Sequence, residues 1–431
     1  MRSRLKIVKN KSDLNKLIRH CKTTGYCCFD YETTGLEYFK EQNYPTVLAI
    51  SFQPGSSWVI PLGHKESIFK DKFEWVLKYF GKEVLENPDI TKIAWNIQFE
   101  LNWCYRYNIF PKGRLFDAML AKYLLDETRP NDLKSMVTRF FPEFSQYEDE
   151  IENLTKKHGW ADVPFKPLCK YAGLDSDLEF RLFIMFEQKL IKLGFYPVFR
   201  NLLMQGVRVL SESSYRGFHI NVPELHRLRE LYKVLIEKCE NDLRYNQRFY
   251  KYEQNRLKWV KKNYIKSLKL EIEGFGNDPT DRKVKSRQDK ISRFMMGDYQ
   301  TKKEQEMMAP FNFGSPDQLR GLLFTGRKGF NFEIVKYTQD KYGNETDNPS
   351  TAEDVLLELK KQDKSGFIEK LLEYRGLLHI RNNFIDGFIE KEHNGKLHPS
   401  YLIHGTVSGR LCIAEDSVIL TDKGLIKVGD I

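Results

Sequence analysis

A chain of 431 residues with 41% apolar and 13% aromatic content is long enough for about three domains and can fill several cores, which excludes a disordered or fibrous protein. No stretch approaches the roughly 20 apolar residues of a membrane helix, and the opening MRSRLKIVKNKSDL lacks the apolar run of a signal peptide. Seven cysteines without a CxxC pair argue for reduced thiols and against a disulfide framework or a zinc site, so a cytoplasmic protein is expected.

Residues 1–110 read as alternating strands and helices. LKIVK, a helix opening at Ser12 or Asp13, then YCCFDYETTG, TVLAISF, SWVIPLG and KIAWN give short apolar runs broken by turn signals, an α/β pattern. In FDYETTG, Asp30 and Glu32 stand at i and i+2 of a strand, so both carboxylates point to one face. Beside apolar Cys27, Cys28 and Phe29, such a pair calls for a shared cation or for solvent. WNIQFELNW begins a helix with Asn96 and Glu100 at i and i+4. Asp117, in RLFDAML, suits the N-cap of a helix over 118–125. KYAGLDSDLEF places Tyr171 and Asp175 at i and i+4 on a further helix. Singly, each motif is as well explained by a cap or by chance; their order is the signal.

That order, D-x-E, an Asn-led helix with an acid, then Y-x3-D, resembles the proofreading exonucleases of the DEDD type over about residues 1–195. The resemblance implies a ribonuclease-H-like α/β domain that holds two divalent ions, Mg2+ or Mn2+, and cuts a 3′-terminal phosphodiester. It further implies that Asp30, Glu32 and Asp175 hold one ion, that Asp30 and Glu100 hold the second, and that Tyr171 with Glu32 orients the attacking water. The family usually has Asp where this chain has Glu100. The extra methylene is either absorbed by the placement of the helix or loosens the second ion.

After Gly194 the pattern turns to long helices. MQGVRVLSESSYRGFHINVPEL, with Gly217 at a helix end and Asn221 opening the next element, is similar to the segment that follows the exonuclease in family A DNA polymerases. Residues 225–308 carry 21 Lys/Arg against 13 Asp/Glu, so eight of the ten net positive charges fall there. Within them KWVKKNYIKSLK interleaves basic and aromatic residues, which fits a phosphate-tracking surface and a solvated basic helix equally. GFGNDPTD, at 274–281, is expected to split this stretch into two helical arms. FNFGSPDQLRGLLF carries a capping box with Ser315 as cap, Pro316 first and Gln318 third, and STAEDVLLELKK carries another with Ser350 and Glu353. Arg375 and His379 share a helical face with Arg381 nearby, which suits phosphate contacts. The polymerase resemblance ends with HGTVSGRL, where it makes Thr406 and Arg410 DNA-contact residues.

At Cys412 the character changes. CIAEDSVILTDKGLIKVGDI resembles the first block of an intein: an initial Cys, a strand DSVIL, a turn at Asp422 to Gly424 and a second strand ending at Ile431. The implied chemistry is attack of the Cys412 thiol on the Leu411 carbonyl to form a thioester. Later intein blocks and the later polymerase motifs do not occur, and a natural split half and a truncated frame fit equally well. The expectation is therefore the N-terminal half of a bacterial or phage-like family A replicative polymerase: an α/β exonuclease domain (1–195), a mainly helical incomplete palm and thumb with a basic insertion (196–411), and a β N-intein fragment (412–431). Its expected partners are primer-template and single-stranded DNA and a C-terminal polymerase/intein fragment. The alternatives are a stand-alone 3′-5′ exonuclease and a DNA-binding subunit with a dead nuclease site.

Overall fold

The computed structural model describes residues 3–128, 130–326, 328–340 and 343–403, and the strand backbones 418–421 and 424–427. It is a mixed α/β, mostly helical structure, and the chain divides into two compact units, Met1–Ile220 with Glu392–Ile431, and Asn221–Lys391. Among the described residues no helix is long and apolar enough to cross a membrane. Six described cysteines are free and buried.

The first unit is built from β1 (Arg4–Ile7), α1 (Lys11–Thr24), β2 (Tyr26–Thr33), β3 (Pro45–Gln53), β4 (Ser56–Pro61), α2 (Phe73–Phe80), β5 (Thr91–Ala94), α3 (Ile97–Arg106), β6 (Leu115–Asp117), α4 (Ala118–Leu125), α5 (Leu133–Phe140), α6 (Asp149–His158) and α7 (Phe165–Lys192). Its six-stranded sheet has the order β1-β4-β3-β2-β5-β6. The chain runs antiparallel through β2, β3 and β4, while β1 joins β4, and β5 and β6 follow β2, in parallel. β3 shows no apolar/polar alternation because both its faces are covered. Leu48, Ile50 and Phe52 join the core that holds Leu14, Leu17 and Ile18 of α1. Val47 and Ala49 join a second core with Leu168, Cys169 and Ala172 of α7. Gly173 lets α7 lie close on the sheet, since a Cβ there would stand 2.6 Å from Leu5 Cδ1 and 3.0 Å from Ser57 Oγ.

One local expectation shifts, and one strand goes unforeseen. α1 starts at Lys11, with Asn10 rather than Ser12 or Asp13 as cap, because the Asn10 side chain accepts the Asp13 N–H at 2.9 Å. β6, only three residues long, is too short to leave a period in the sequence.

Lys92 in β5 is fully buried, and its ammonium donates to the carbonyl of Ile90 at 2.7 Å and to those of Asn87 and Lys112. Burial pulls its pKa down to about 8. Lys92→Met is expected to leave three carbonyls without this donor and to destabilise the fold by about 3 kcal/mol, read from urea midpoints. An unchanged midpoint would mean that the three carbonyls find other donors at no cost.

Residues 392–403 complete the first unit. Lys396–Leu397 pairs antiparallel with Phe218–His219, and Ser214 Oγ donates to the Pro399 carbonyl at 2.6 Å. The backbones 418–421 and 424–427 pair as an antiparallel hairpin, closing at Thr421 and Gly424.

Among its described residues, the regular elements of the second unit are helices apart from the strand pair Tyr337–Gln339 and Glu345–Pro349. Phe249, Phe311, Phe313, Phe330 and Phe367 are central to its core. Asn221 caps Val222–Tyr245 by accepting the Glu224 N–H at 3.1 Å. The stretch 274–281 separates helix Gln247–Gly274 from helix Arg282–Met295, as expected. Both capping boxes are corrected. Ser315 accepts the Gln318 N–H at 3.4 Å, but Gln318 Oε1 turns to the Asn312 N–H at 2.9 Å, so the box is half formed. Ser350 caps no helix: the helix begins at Glu353 behind Ala352, and Ser350 Oγ accepts the Ala352 N–H at 3.2 Å in a turn. Glu353 is then the first helical residue and cannot close a box that needs it third.

Candidate active site

The pleat puts Asp30 and Glu32 on one face of β2, and α7 delivers Asp175 to them. Carboxylate oxygens of the three lie within 4.8 Å of one another. Glu32 is 8% and Asp175 4% exposed. Glu100, 2% exposed in the first turn of α3, is tied to the same strand, because the Tyr31 N–H donates to its Oε2 at 3.1 Å. Asn96 is not on the helical face with it: it stands just before α3 in the left-handed region with φ 62.

Tyr171 flanks the acids. It stacks on Tyr147 with ring centroids 6.0 Å apart, and the Tyr147 hydroxyl donates to Asp175 Oδ1. Two groups in this cluster were not found by sequence reasoning. Tyr147 comes from the turn before α6, and nothing local marks it. Glu179, 2% exposed, lies one helical turn beyond Asp175 and was legible as the next member of the Tyr171–Asp175 stripe.

Five carboxyl groups, four of them buried and Asp30 half-buried, thus share one neighbourhood. Burial raises the Asp30 pKa to about 7. Burial also raises Glu32, Glu100, Asp175 and Glu179 well above the ordinary carboxyl range, and the charge of Asp30 adds to each. Among the described residues no Lys or Arg forms an ion pair with any of the five. An all-oxygen donor set with its anions uncompensated fits a hard divalent cation. Asp117 is different. It accepts the N–H groups of Asn96, Ile97, Met119 and Leu120 at 2.9–3.3 Å, capping α3 and α4 together, and burial raises it only to about 6 against those four bonds.

The expected DNA-contact residues of the second unit are partly engaged within it. Arg375 donates to the Thr351 carbonyl and Arg381 pairs with Asp386 at 3.4 Å, whereas His379 is exposed and bonded to Asn383 at 2.8 Å. In the basic stretch, Tyr264 packs on Phe294 with centroids 4.5 Å apart and donates to Glu304 at 2.8 Å, so it belongs to helix packing. Trp259 remains 67% exposed beside lysines. Thr406, Arg410 and Cys412 lie outside the described residues.

Residues 5–191 match the family model for a 3′-5′ exonuclease, and residues 283–417 match that of DNA polymerase family A. The DNA polymerase of Bacillus phage SP01 is 27% identical over 88% of this chain and 39% of its own length. DNA polymerase I of Borreliella burgdorferi is 22% identical over 94% of the chain and 36% of its own length. The DNA polymerase of Escherichia phage T5 is 23% identical over 90% and 39%. The chain therefore spans under two fifths of the length of these relatives. In structure it is similar to the POL domain of Pol1 from M. smegmatis in complex with DNA primer-template and dNTP, with a TM-score of 0.61 at 15% identity over 94% of this chain and 54% of that one.

Proposed function

We propose that this chain, which carries a 3′-5′ exonuclease domain and the start of the polymerase domain of a family A DNA polymerase, removes nucleotides from DNA 3′ ends and supplies the N-terminal part of a replicative polymerase. The observation that carries the exonuclease reading is the convergence of Asp30, Glu32 and Asp175 within 4.8 Å, with Glu32 and Asp175 buried and Asp30 half-buried. Asp30, Glu32 and Asp175 would hold one divalent ion, Mg2+ or Mn2+, and Asp30 with Glu100 a second. Such ions supply, when bound, an activated water and charge stabilisation for the leaving oxygen. Tyr171, with Glu32, orients the water, and the buried walls exclude bulk solvent. The Tyr31 N–H bond favours a working Glu100, because it pins the longer side chain at 3.1 Å.

DNA is the proposed partner, with Arg375, His379, Arg381, Thr406 and Arg410 as phosphate or groove contacts and the lysines around Trp259 as a basic surface. A 5′-labelled single strand should be shortened from its 3′ end with Mg2+ or Mn2+ and stay intact in EDTA. If the strand is bound but never shortened, the chain is a DNA-binding subunit instead.

Residues 412–431 are read as an N-intein, with the 418–421/424–427 hairpin in favour. The polymerase match, running six residues past Leu411 to 417, overlaps it. DNA synthesis would then need a C-terminal partner joined by trans-splicing. Mass spectrometry of the chain mixed with such a partner should give a product ligated at Leu411; absence of ligation with Cys412 intact would remove the intein reading and leave the exonuclease untouched.

A further inference from the structure

We infer that Glu179 is a positioning residue for the acidic site: bonded to the Cys28 thiol, it fixes the height at which α7 sits on β2, and so where Asp175 meets Asp30 and Glu32. The inference rests on the reading of those acids as an ion-binding set.

Two ladders face each other. On β2, Cys28, Asp30 and Glu32 follow at intervals of two residues, about 6.7 Å, all on one face. On α7, Tyr171, Asp175 and Glu179 follow at intervals of four residues, about 6 Å. The rungs nearly match, and the ladders run in opposite order. Asp175 meets Asp30 and Glu32, while the Cys28 thiol donates to Glu179 Oε2 at 3.5 Å. Tyr171 at the other end of α7's ladder feels the charges of Asp175, Glu32 and Asp30. The Trp95 N–H also turns toward Glu179, at the junction of β5 and α3. From α7, which carries Asp175, this side chain thereby bonds β2, which carries Asp30 and Glu32, and faces the Trp95 backbone just ahead of α3, which carries Glu100.

Stability alone does not account for a glutamate here. Its helix neighbours Leu178, Leu182 and Phe183 are buried and apolar, and a leucine at 179 would avoid burying a carboxyl that has no cationic partner among the described residues. By contrast, the buried Asp177 pairs with Arg181 at 2.7 Å and accepts the Gly55 N–H at 2.7 Å.

The test is a Mn2+ titration of the metal-free full chain by calorimetry, with thermal melts in EDTA as a control for folding. Glu179→Leu is expected to raise the Mn2+ Kd about 10–100-fold, as loss of a residue that orients ligands does. Glu179→Gln, which keeps an acceptor for the thiol and for the Trp95 N–H, should stay within about threefold of wild type, and Cys28→Ala should fall between them. Wild-type affinity in Glu179→Leu would overturn the inference. A Gln variant as weak as Leu would overturn it too, since the group would then act by charge and not as an anchor. If the wild-type chain binds no Mn2+, the ion-binding reading itself fails, and the positioning role with it. Should Glu179→Leu fold poorly, the Gln and Cys28→Ala titrations decide alone.

Discussion

Asp30→Ala is expected to lower 3′-end hydrolysis by on the order of 10³-fold at saturating Mg2+ or Mn2+, with DNA binding retained. Asp30 is the hub of the acidic set. Its carboxylate lies within 4.8 Å of those of Glu32 and Asp175, and its charge is felt by Glu100 and Glu179 as well. In the proposed arrangement it is the one ligand common to both ion positions, so its loss disables both at once. Removing several kcal/mol of transition-state stabilisation, about 4, corresponds to that factor. The loss should not come from unfolding. Asp30 is an acid among acids, with no cationic partner among the described residues, and its removal relieves like-charge crowding. Single-turnover cleavage of a 3′-labelled strand, run beside a melting curve in EDTA, separates the two effects. Unchanged cleavage would remove Asp30 from the chemistry.

Much of this site was legible because its logic is periodic. Parity in FDYETTG is enough to put Asp30 and Glu32 on one face, and a four-residue step is enough to align Tyr171 with Asp175. Continued one more turn, the same step reaches Glu179. Periodicity orders the acids along the sequence but does not bring them together, and only the resemblance to the exonucleases put them in one site, since their meeting depends on α7 lying close on the sheet, which Gly173 permits. Tyr147 was beyond reach for a related reason: its hydrogen bond to Asp175 spans two segments with no shared period. Local signatures failed where tertiary packing outweighed them. The Ser350 box yielded to a helix whose start suits the burial of Val355, Leu356 and Leu359. In KWVKKNYIKSLK, composition placed aromatics among lysines but could not say that Tyr264 faces inward and Trp259 outward.

Stripped of divalent ions, the protein is expected to melt at a higher temperature near pH 5 than near pH 8, the reverse of a fold held by salt-bridged carboxylates. The sign follows from Asp30. Burial raises its folded pKa to about 7, whereas the unfolded side chain titrates near 3.8. Between those values the folded state binds more protons, so stability is highest below the unfolded pKa and falls as pH rises through the window from about 4 to about 7. Three pH units correspond to at most about 4 kcal/mol for Asp30 alone. Glu32, Glu100, Asp175 and Glu179 are shifted the same way. Glu304 in the second unit acts oppositely: against its burial, hydrogen bonds from Thr301 and Tyr264 hold it at about 2, so its contribution persists above about pH 4.5 and is lost only on further acidification. Because it lies below the first window, it leaves the slope from pH 5 to 8 intact. Mn2+ competes with protons for the carboxylates, so it should stabilise most at pH 8, by about 2.7 kcal/mol at a hundredfold excess over Kd, and flatten or invert the slope. Melting curves from pH 5 to 8 in EDTA and in Mn2+ read both effects. A melting temperature that is flat across that range in EDTA and unmoved by Mn2+ would mean that the five acids do not share one buried, cation-binding site.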